Sequence, residues 1–143
     1  MIKAVRFTDL DVHTLYALLR LRVDVFVVEQ HCAYSELDGR DVEPETVHVW
    51  LDLDGGPAAY LRILTEPDGT RRIGRVCTAA NHRGDGAAGR LMAEALRLID
   101  DAPCVLDAQS YLVGFYRRLG FAPTGPEYVE DGIPHVPMRR HTG

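Results

Sequence analysis

Apolar residues in the first part of the chain follow a strand pattern and then a helical one. Residues 2–7 predict a short strand. The next apolar residues recur at helical spacing, and hydroxyl and carboxylate side chains before them predict a capped helix start. Residues 25–28, three of which are β-branched valines, predict the end of that helix. The cap residues are Thr8, Asp9 and Asp11, and the apolar face comprises Leu15, Leu18, Leu19, Val23 and Phe26.

A polar, acidic segment comes next, followed by three strand-like runs. Residues 31–45 contain a turn signal at Asp38-Gly39 and a breaker at Pro44, so we interpret them as a loop on the substrate side. Short connections that contain glycine separate the strand-like runs, and such connections predict hairpins and therefore an antiparallel meander. The three runs cover residues 46–51, 58–64 and 72–78.

The last third of the chain alternates helices and strands. Apolar faces at helical spacing predict two helices, with a strand at residues 104–108 between them and one or two strands after Phe121. Ser110 predicts the cap of the second helix. The apolar faces comprise Leu91, Met92, Ala95, Leu96 and Ile99 in the first helix and Tyr111, Leu112, Phe115, Tyr116 and Leu119 in the second.

The order of these elements, β-α-β-β-β-α-β-α-β(-β), predicts the fold class. Hairpin-linked strands are antiparallel, whereas the strand–helix–strand unit at residues 72–108 requires one right-handed parallel crossover. We therefore expect a single α+β domain over residues 1–143, with a mixed, mostly antiparallel sheet flanked by helices.

Composition and charge narrow the classes of partner. The 143 residues are 46% hydrophobic and 26% charged, which is typical of a globular domain. A net charge of −5 argues against a nucleic-acid partner, because phosphate binding needs a cationic surface. Three cysteines without CxxC or Cys/His spacing predict no disulfide framework and no metal site, and they favour a cytoplasmic setting. No apolar run is long enough for a signal peptide or a membrane span.

Residues 81–89 form a turn rich in small residues before the helix that carries Leu91. Its glycines let the backbone approach a ligand closely, and the free N–H groups of a helix start bind anions such as a pyrophosphate. Arg83 can add a charge-assisted contact. A tight turn whose small residues serve packing alone is the alternative.

The same glycines satisfy the GxGxxG pattern of nicotinamide- and flavin-binding proteins at residues 84–89. Asp107 stands near the offset of the acid that binds the ribose in such proteins. The context disfavours this interpretation, because five residues separate the glycines from the preceding strand and only one parallel crossover is predicted.

Arg83, Gly86 and Ala88 also fit the pattern Arg-x-x-Gly-x-Ala, and residues 115–121 read Phe-Tyr-Arg-Arg-Leu-Gly-Phe. On these motifs and the order of elements, the chain resembles the GNAT acetyltransferase superfamily over essentially its whole length. More narrowly, it is similar to the ElaA branch. The segments that carry this second resemblance are residues 21–30, 37–41, 73–76, 107–109 and 130–135.

The resemblance implies that acetyl-CoA is the acyl donor. It also implies that one strand and Gln109 flank the pantetheine arm, that the backbone of the glycine turn holds the pyrophosphate, and that the Tyr116 hydroxyl is the general acid for the CoA sulfur. The implied strand residues are Val76, Cys77 and Thr78, and the implied turn residues are Arg83, Gly84, Gly86, Ala87, Ala88 and Gly89. Half-buried packing in the helix is the alternative for Tyr116.

The amine acceptor must lose a proton before it attacks, so a base is expected. Glu29, His48 and His135 are the candidates, and Glu29 is favoured by its place in a matched segment. Glu29, Gln30 and His135 are expected to bind the acceptor. Cys77 could form an acetyl-enzyme, but small-residue packing is the simpler role. The acidic residues Glu29, Glu36, Asp38 and Asp41 either receive a cationic amine or form a solvated loop.

Together these observations predict an N-acetyltransferase that passes an acetyl group from acetyl-CoA to a primary amine in a ternary complex. A non-catalytic acyl-CoA-binding domain on the same fold is the alternative, and an NAD-binding oxidoreductase comes next. The acceptor is a small molecule or a peptide, and homodimer formation is left open.

Overall fold

The computed structural model describes residues 1–53 and 55–141, and its strands form one twisted sheet. The strand order is β1-β2-β3-β4-β5-β8-β6, with β7 paired to β8. Among the strands of the described residues, β4 and β5 form the one parallel pair. The strands are β1 (Ile2–Arg6), β2 (Val47–Leu53), β3 (Gly56–Thr65), β4 (Arg71–Thr78), β5 (Cys104–Gln109), β6 (Phe121–Pro123), β7 (Tyr128–Glu130) and β8 (Ile133–Arg140).

Helices cover both faces of this sheet, which explains why its central strands are apolar at consecutive positions. Val49 and Leu51 of β2 pack with Leu61 of β3 against α2 (Ala87–Ile99) on one face. Alternate residues point the other way, so Trp50 and Tyr60 pack against α1 (Val12–Val23) on the opposite face. The predicted mixed, mostly antiparallel α+β sheet is confirmed, including the meander and the parallel crossover.

Helix α1 starts where the sequence predicts, because Asp11 accepts a hydrogen bond from the Thr14 amide at 2.9 Å. The predicted end at residues 25–28 is wrong. The chain stays helical through a wider π-helical segment, Asp24–Glu29. Val25 is buried there against the sheet, and this packing outweighs the modest helix penalty of a β-branched residue. The extension carries Glu29 to the edge of the cleft described below.

The C-terminal third also differs in detail from the expectation. The last helix, α3 (Val113–Arg118), follows a 3₁₀ turn at Ser110–Leu112, and Ser110 does not cap it. The Ser110 hydroxyl instead donates to the Glu127 carboxylate at 2.6 Å. Within residues 119–141, three strands follow α3 rather than one or two. No helix in the described part of the chain has the length and apolar character needed to cross a lipid bilayer.

Candidate active site

A cleft opens where β4 and β5 separate. The two strands pair only at Arg71–Cys104 and Arg72–Val105, after which they diverge and leave a cleft of about 970 Å³. Along this side β4 has no strand partner after Arg72 among the described residues, so its backbone polar groups face the cleft. The sequence-predicted residues that line the cleft are Glu29, Gln30, Val76, Cys77, Thr78, Arg83, Ala88, Gln109, Tyr116 and His135.

The glycine turn closes one end of the cleft at the start of α2. Gly84 and Gly86 have φ angles of 89° and 74°, a region that only glycine adopts without strain. In the described residues no side chain caps α2, so the amides of its first turn keep their hydrogen-bonding capacity for a ligand. Ala87 is buried in the core beneath the turn and does not line the cleft. Gly84, Gly86 and Gly89 likewise do not line the cleft.

Arg83 connects the glycine turn to two walls of the cleft. Its guanidinium forms a bidentate ion pair with Glu29 at 2.5 and 2.8 Å, and it donates to the Thr78 carbonyl at 3.0 and 3.1 Å. The hydrogen bonds from Arg83 hold the pKa of the Glu29 carboxyl below its usual value. Glu29 is therefore an anion with low basicity while this pair persists.

Tyr116 projects from α3 into the cleft with its ring buried. The ring packs edge-on against Phe115 and Phe121, with centroids 5.0 and 6.2 Å apart. Burial, with a smaller contribution from Tyr111, raises the pKa of the Tyr116 hydroxyl above its usual value. The hydroxyl therefore keeps its proton at neutral pH and can act as a donor. Tyr111 also lines the cleft but is 78% exposed, so it is not part of a buried stripe as its spacing predicts.

His135 lies on β8, opposite Gln109 at the end of β5 in the strand register. Its imidazole stacks on Tyr128, with centroids 5.7 Å apart. The ring Nδ1 lies 2.8 Å from the Ile133 carbonyl oxygen, which can only accept, so Nδ1 must carry the proton of the neutral ring. The lone pair is then on Nε2. The sequence carries no signal for this tautomer, because a side-chain bond to a carbonyl two residues away at the start of a strand has no sequence signature.

The other polar candidates are buried. His48 is fully buried, with Nδ1 2.6 Å from the Tyr60 hydroxyl and Nε2 3.0 Å from the Asp41 carbonyl oxygen, so its candidacy as the base is wrong. The Cys77 thiol is also buried, and burial raises its pKa to about 12. A protonated buried thiol is a poor nucleophile, which supports a packing role.

The acidic residues Glu36, Asp38 and Asp41 of the loop are paired with arginines, and Glu36 and Asp41 are also buried. Arg22, which is fully buried, donates to the carboxylates of Glu36 and Asp41 at 2.5–3.1 Å. Arg62 bonds Asp38 at 2.6 and 2.9 Å and also reaches Asp41. For Glu36 and Asp41 both sequence interpretations are wrong, because their charges are compensated by arginines from α1 and β3. Buried carboxylates need such partners. Glu29 stands apart from this network, since it is exposed and pairs with Arg83.

Comparisons with known proteins agree with this geometry. Residues 17–142 match the family model described as an acetyltransferase (GNAT) domain. The chain belongs to the GNAT acetyltransferase family. It is 52% identical over 136 residues to a UPF0039 protein of Mycobacterium tuberculosis, which covers 92% of this chain and 87% of that protein. It is 40% identical over 139 residues to the Escherichia coli protein ElaA, with 93% and 91% covered.

Two solved structures resemble this acyltransferase along almost the whole chain. The crystal structure of E. coli ElaA superimposes with a TM-score of 0.93 at 37% identity, and 99% of each chain is covered. An acyl-CoA N-acyltransferase of Pseudomonas aeruginosa superimposes with a TM-score of 0.90 at 42% identity and the same coverage. The predicted ElaA-like membership and acyltransferase class are thereby confirmed.

Proposed function

We propose that this acyltransferase transfers an acetyl group from acetyl-CoA to a primary amine by direct attack in a ternary complex, as a single domain over residues 1–143. The observation that carries the proposal is the unpaired edge of β4, which leads to the uncapped start of α2. The amides of a pantetheine arm can add to a strand edge, and a pyrophosphate suits the free N–H groups of a helix start. The two features stand in the order in which these parts occur in CoA.

In this proposal Val76, Cys77 and Thr78 bind the pantetheine arm through their backbone, and Gln109 flanks it from β5. Arg83, Gly84, Gly86, Ala87, Ala88 and Gly89 hold the pyrophosphate. A backbone N–H of β4 polarises the thioester carbonyl, because donors fixed in advance stabilise charge that develops on that oxygen. Small residues at the turn leave room for the phosphates, since no atom lies within 4 Å of a Cβ built on Gly84 or Gly86.

Tyr116 supplies the proton to the departing thiolate. Its raised pKa keeps the hydroxyl protonated at neutral pH, so the group is available to donate to the sulfur as negative charge develops there while the C–S bond breaks. The buried thiol of Cys77 supports direct transfer over a covalent acetyl-enzyme.

His135 is the base that this geometry favours. Its Nδ1–H is held by the Ile133 carbonyl, so Nε2 is the nitrogen available to an acceptor amine in the cleft. Glu29 is paired with Arg83 and has a lowered pKa, so it suits the binding of a cationic acceptor better than proton abstraction. Gln30, which also lines the cleft, assists in binding the acceptor. The acceptor itself is proposed only as a primary amine on a small molecule or peptide.

The proposal also includes a cytoplasmic setting, because Cys32, Cys77 and Cys104 are all free thiols. Homodimer formation stays a prediction.

Release of CoA thiol from acetyl-CoA, measured with a thiol reagent over a panel of primary amines, tests the proposed function. The three cysteines are buried, so the folded protein gives little background. Release that depends on both protein and amine is expected. Binding of acetyl-CoA without release for any amine would instead favour the non-catalytic acyl-CoA-binding domain.

A further inference from the structure

Arg75 has a backbone conformation that is unusual for its residue type. In the pairing of β3 with β4, Tyr60 faces Cys77 and Arg62 faces Gly74, so Arg75 and Val76 together face one residue of β3. This is a β-bulge. Arg75 adopts φ = 54°, which is disfavoured for an L-residue because its Cβ crowds the following carbonyl oxygen. Contacts of the side chain must therefore hold the bulge in place.

The Arg75 guanidinium is held by the loop that precedes β2. Its Nε lies 2.5 Å from a carboxylate oxygen of Glu36, and its Nη2 donates to the Glu36 backbone carbonyl at 3.1 Å. The guanidinium also stacks over the Tyr34 ring, 5.7 Å from the centroid. Tyr34 donates to the same carboxylate at 2.9 Å. We call Arg75, Glu36 and Tyr34 the bulge clamp.

The clamp is anchored to the protein core. Glu36 is buried and accepts two hydrogen bonds from Arg22, at 2.9 and 2.5 Å, and Arg22 is fully buried on α1. The loop end of the clamp is therefore fixed, and the side chain of Arg75 transmits that position to the backbone of β4.

The bulge stands at the point where its geometry matters most for the cleft. β4 leaves β5 after Arg72, and from there β4 lines the cleft through Arg75 itself to Val76–Thr78, the stretch proposed to bind the pantetheine arm. Arg75 lies between the two, and a bulge changes the twist and direction of its strand. Its conformation therefore sets the direction in which the free edge of Val76 and Cys77 points.

We propose that Arg75 is a positioning residue for acyl transfer, which acts through the bulge clamp by holding the β4 backbone in the conformation that presents its free edge to acyl-CoA. This inference rests on the proposed function. It assigns the guanidinium no contact with the reacting atoms. What the reaction requires is the positive φ at residue 75.

Two substitutions at residue 75 distinguish the effect of its backbone conformation from the effect of losing its side chain. Arg75→Ala removes the clamp and leaves a residue that disfavours positive φ, whereas Arg75→Gly removes the clamp and leaves one that accepts it. We expect kcat for amine-dependent CoA release to fall about tenfold in Arg75→Ala, since only about a tenth of the molecules would keep the bulge. In Arg75→Gly we expect kcat within about threefold of the wild type. Circular dichroism at the assay temperature must show both variants folded.

Asp100 provides a matched control, because it has a φ of 59° at the end of α2 and does not line the cleft. Asp100→Ala and Asp100→Gly should differ in stability, but their kcat values should be the same. Equal losses in the two Arg75 variants, or no loss in either, would overturn the proposal. If Arg75→Ala does not fold, Arg75→Gln replaces it with the same expectations.

Crystal structures of the two Arg75 variants give a readout that does not depend on activity. A negative φ at residue 75 in the Ala variant and a positive φ in the Gly variant are expected. A positive φ in both would overturn the proposal, even if no amine were ever acetylated. If the wild type itself releases no CoA, the proposed function fails. The comparison of φ at residue 75 in the two variants still tests whether the bulge clamp holds the β4 backbone.

Discussion

Arg72 and Val105 are the last residues at which β4 and β5 run side by side. A parallel pair normally continues along its strands, but here the pairing stops near the start of both. The rest of β4 therefore has an unpaired edge that faces the cleft and leads toward the glycine turn. An edge of this kind can accept an extended ligand in place of a strand.

Gly86→Ala should weaken CoA binding about tenfold. Gly86 has a φ of 74° at the cap of α2, and a side chain there costs about 1–2 kcal/mol or shifts the amides that face the pyrophosphate. Calorimetric titration with CoA measures the change. Gly69→Ala is the matched control, because Gly69 has a φ of 90° in the turn between β3 and β4, outside the cleft. Equal CoA affinity for the Gly86 variant and the wild type would contradict the role of this turn.

Tyr116→Phe should lower kcat by about 10²-fold while CoA affinity stays within about twofold, because the variant loses the acid but keeps the packed ring. Steady-state CoA release and calorimetry give the two numbers. Tyr111→Phe tests the other tyrosine of the cleft, and Tyr16→Phe, on the exposed face of α1, is the control. A larger loss in the Tyr111 variant would transfer the role of acid to Tyr111.

Glu29→Gln should tighten CoA binding about two- to fivefold and raise the KM for the amine. Removing the carboxylate charge releases Arg83 for the pyrophosphate. The small interaction energy of an exposed ion pair corresponds to a change in affinity of this size. The measurement is calorimetry with CoA at low ionic strength, together with acceptor kinetics. Glu94→Gln breaks the comparable exposed pair with Arg97 on α2 and should change neither value. Weaker CoA binding by Glu29→Gln would show that the pair supports the turn instead.

Stability should fall as the pH drops below about 6.5, and His48 should be a main cause. Burial lowers the pKa of the His48 imidazole, so below the ordinary value the unfolded chain takes up a proton that the folded protein does not. Its stabilising contribution is complete above pH 6.5 and is lost as the pH falls toward the lowered pKa. Urea unfolding from pH 8 to 5 should show this loss in the wild type.

The loss should be reduced in His48→Gln, whose amide can bond both the Asp41 carbonyl and the Tyr60 hydroxyl without titrating. His13→Gln, at an exposed position of α1, should keep the wild-type pH dependence. An unchanged slope in the His48 variant would contradict this assignment.

Local patterns were sufficient to predict most of the fold. Glycine-containing connections of a few residues dictate hairpins, so the β2–β3–β4 meander could be predicted from residues 46–78 alone. The π-helical segment Asp24–Glu29 could not be predicted, because its β-branched residues favour strands by propensity and are held helical by packing against the sheet. The short strands after Phe121 are likewise specified by their pairing with β8.

The candidate site was predictable only in part, for a different reason. The residues of the glycine turn are contiguous in sequence, so the sequence alone could predict a backbone that binds an anion. The partners of Glu36 lie 14 residues away at Arg22 and 39 residues away at Arg75, and only the fold brings them together. The charge pattern of the loop therefore indicated an acidic surface, where the structure has carboxylates paired with arginines, with Glu36 and Asp41 buried. The bulge at Arg75 gave no signal, because arginine is not a residue that marks a positive φ.

Calorimetric titration of the wild-type protein with acetyl-CoA, CoA and NADH in parallel tests the central claim most directly. If the cleft between β4 and β5 is the acyl-CoA site, both CoA compounds should bind saturably with one site per chain, and NADH should produce no saturable heat. Saturable binding of NADH without binding of either CoA compound would contradict the claim and would return the glycines at residues 84–89 to a dinucleotide-binding role.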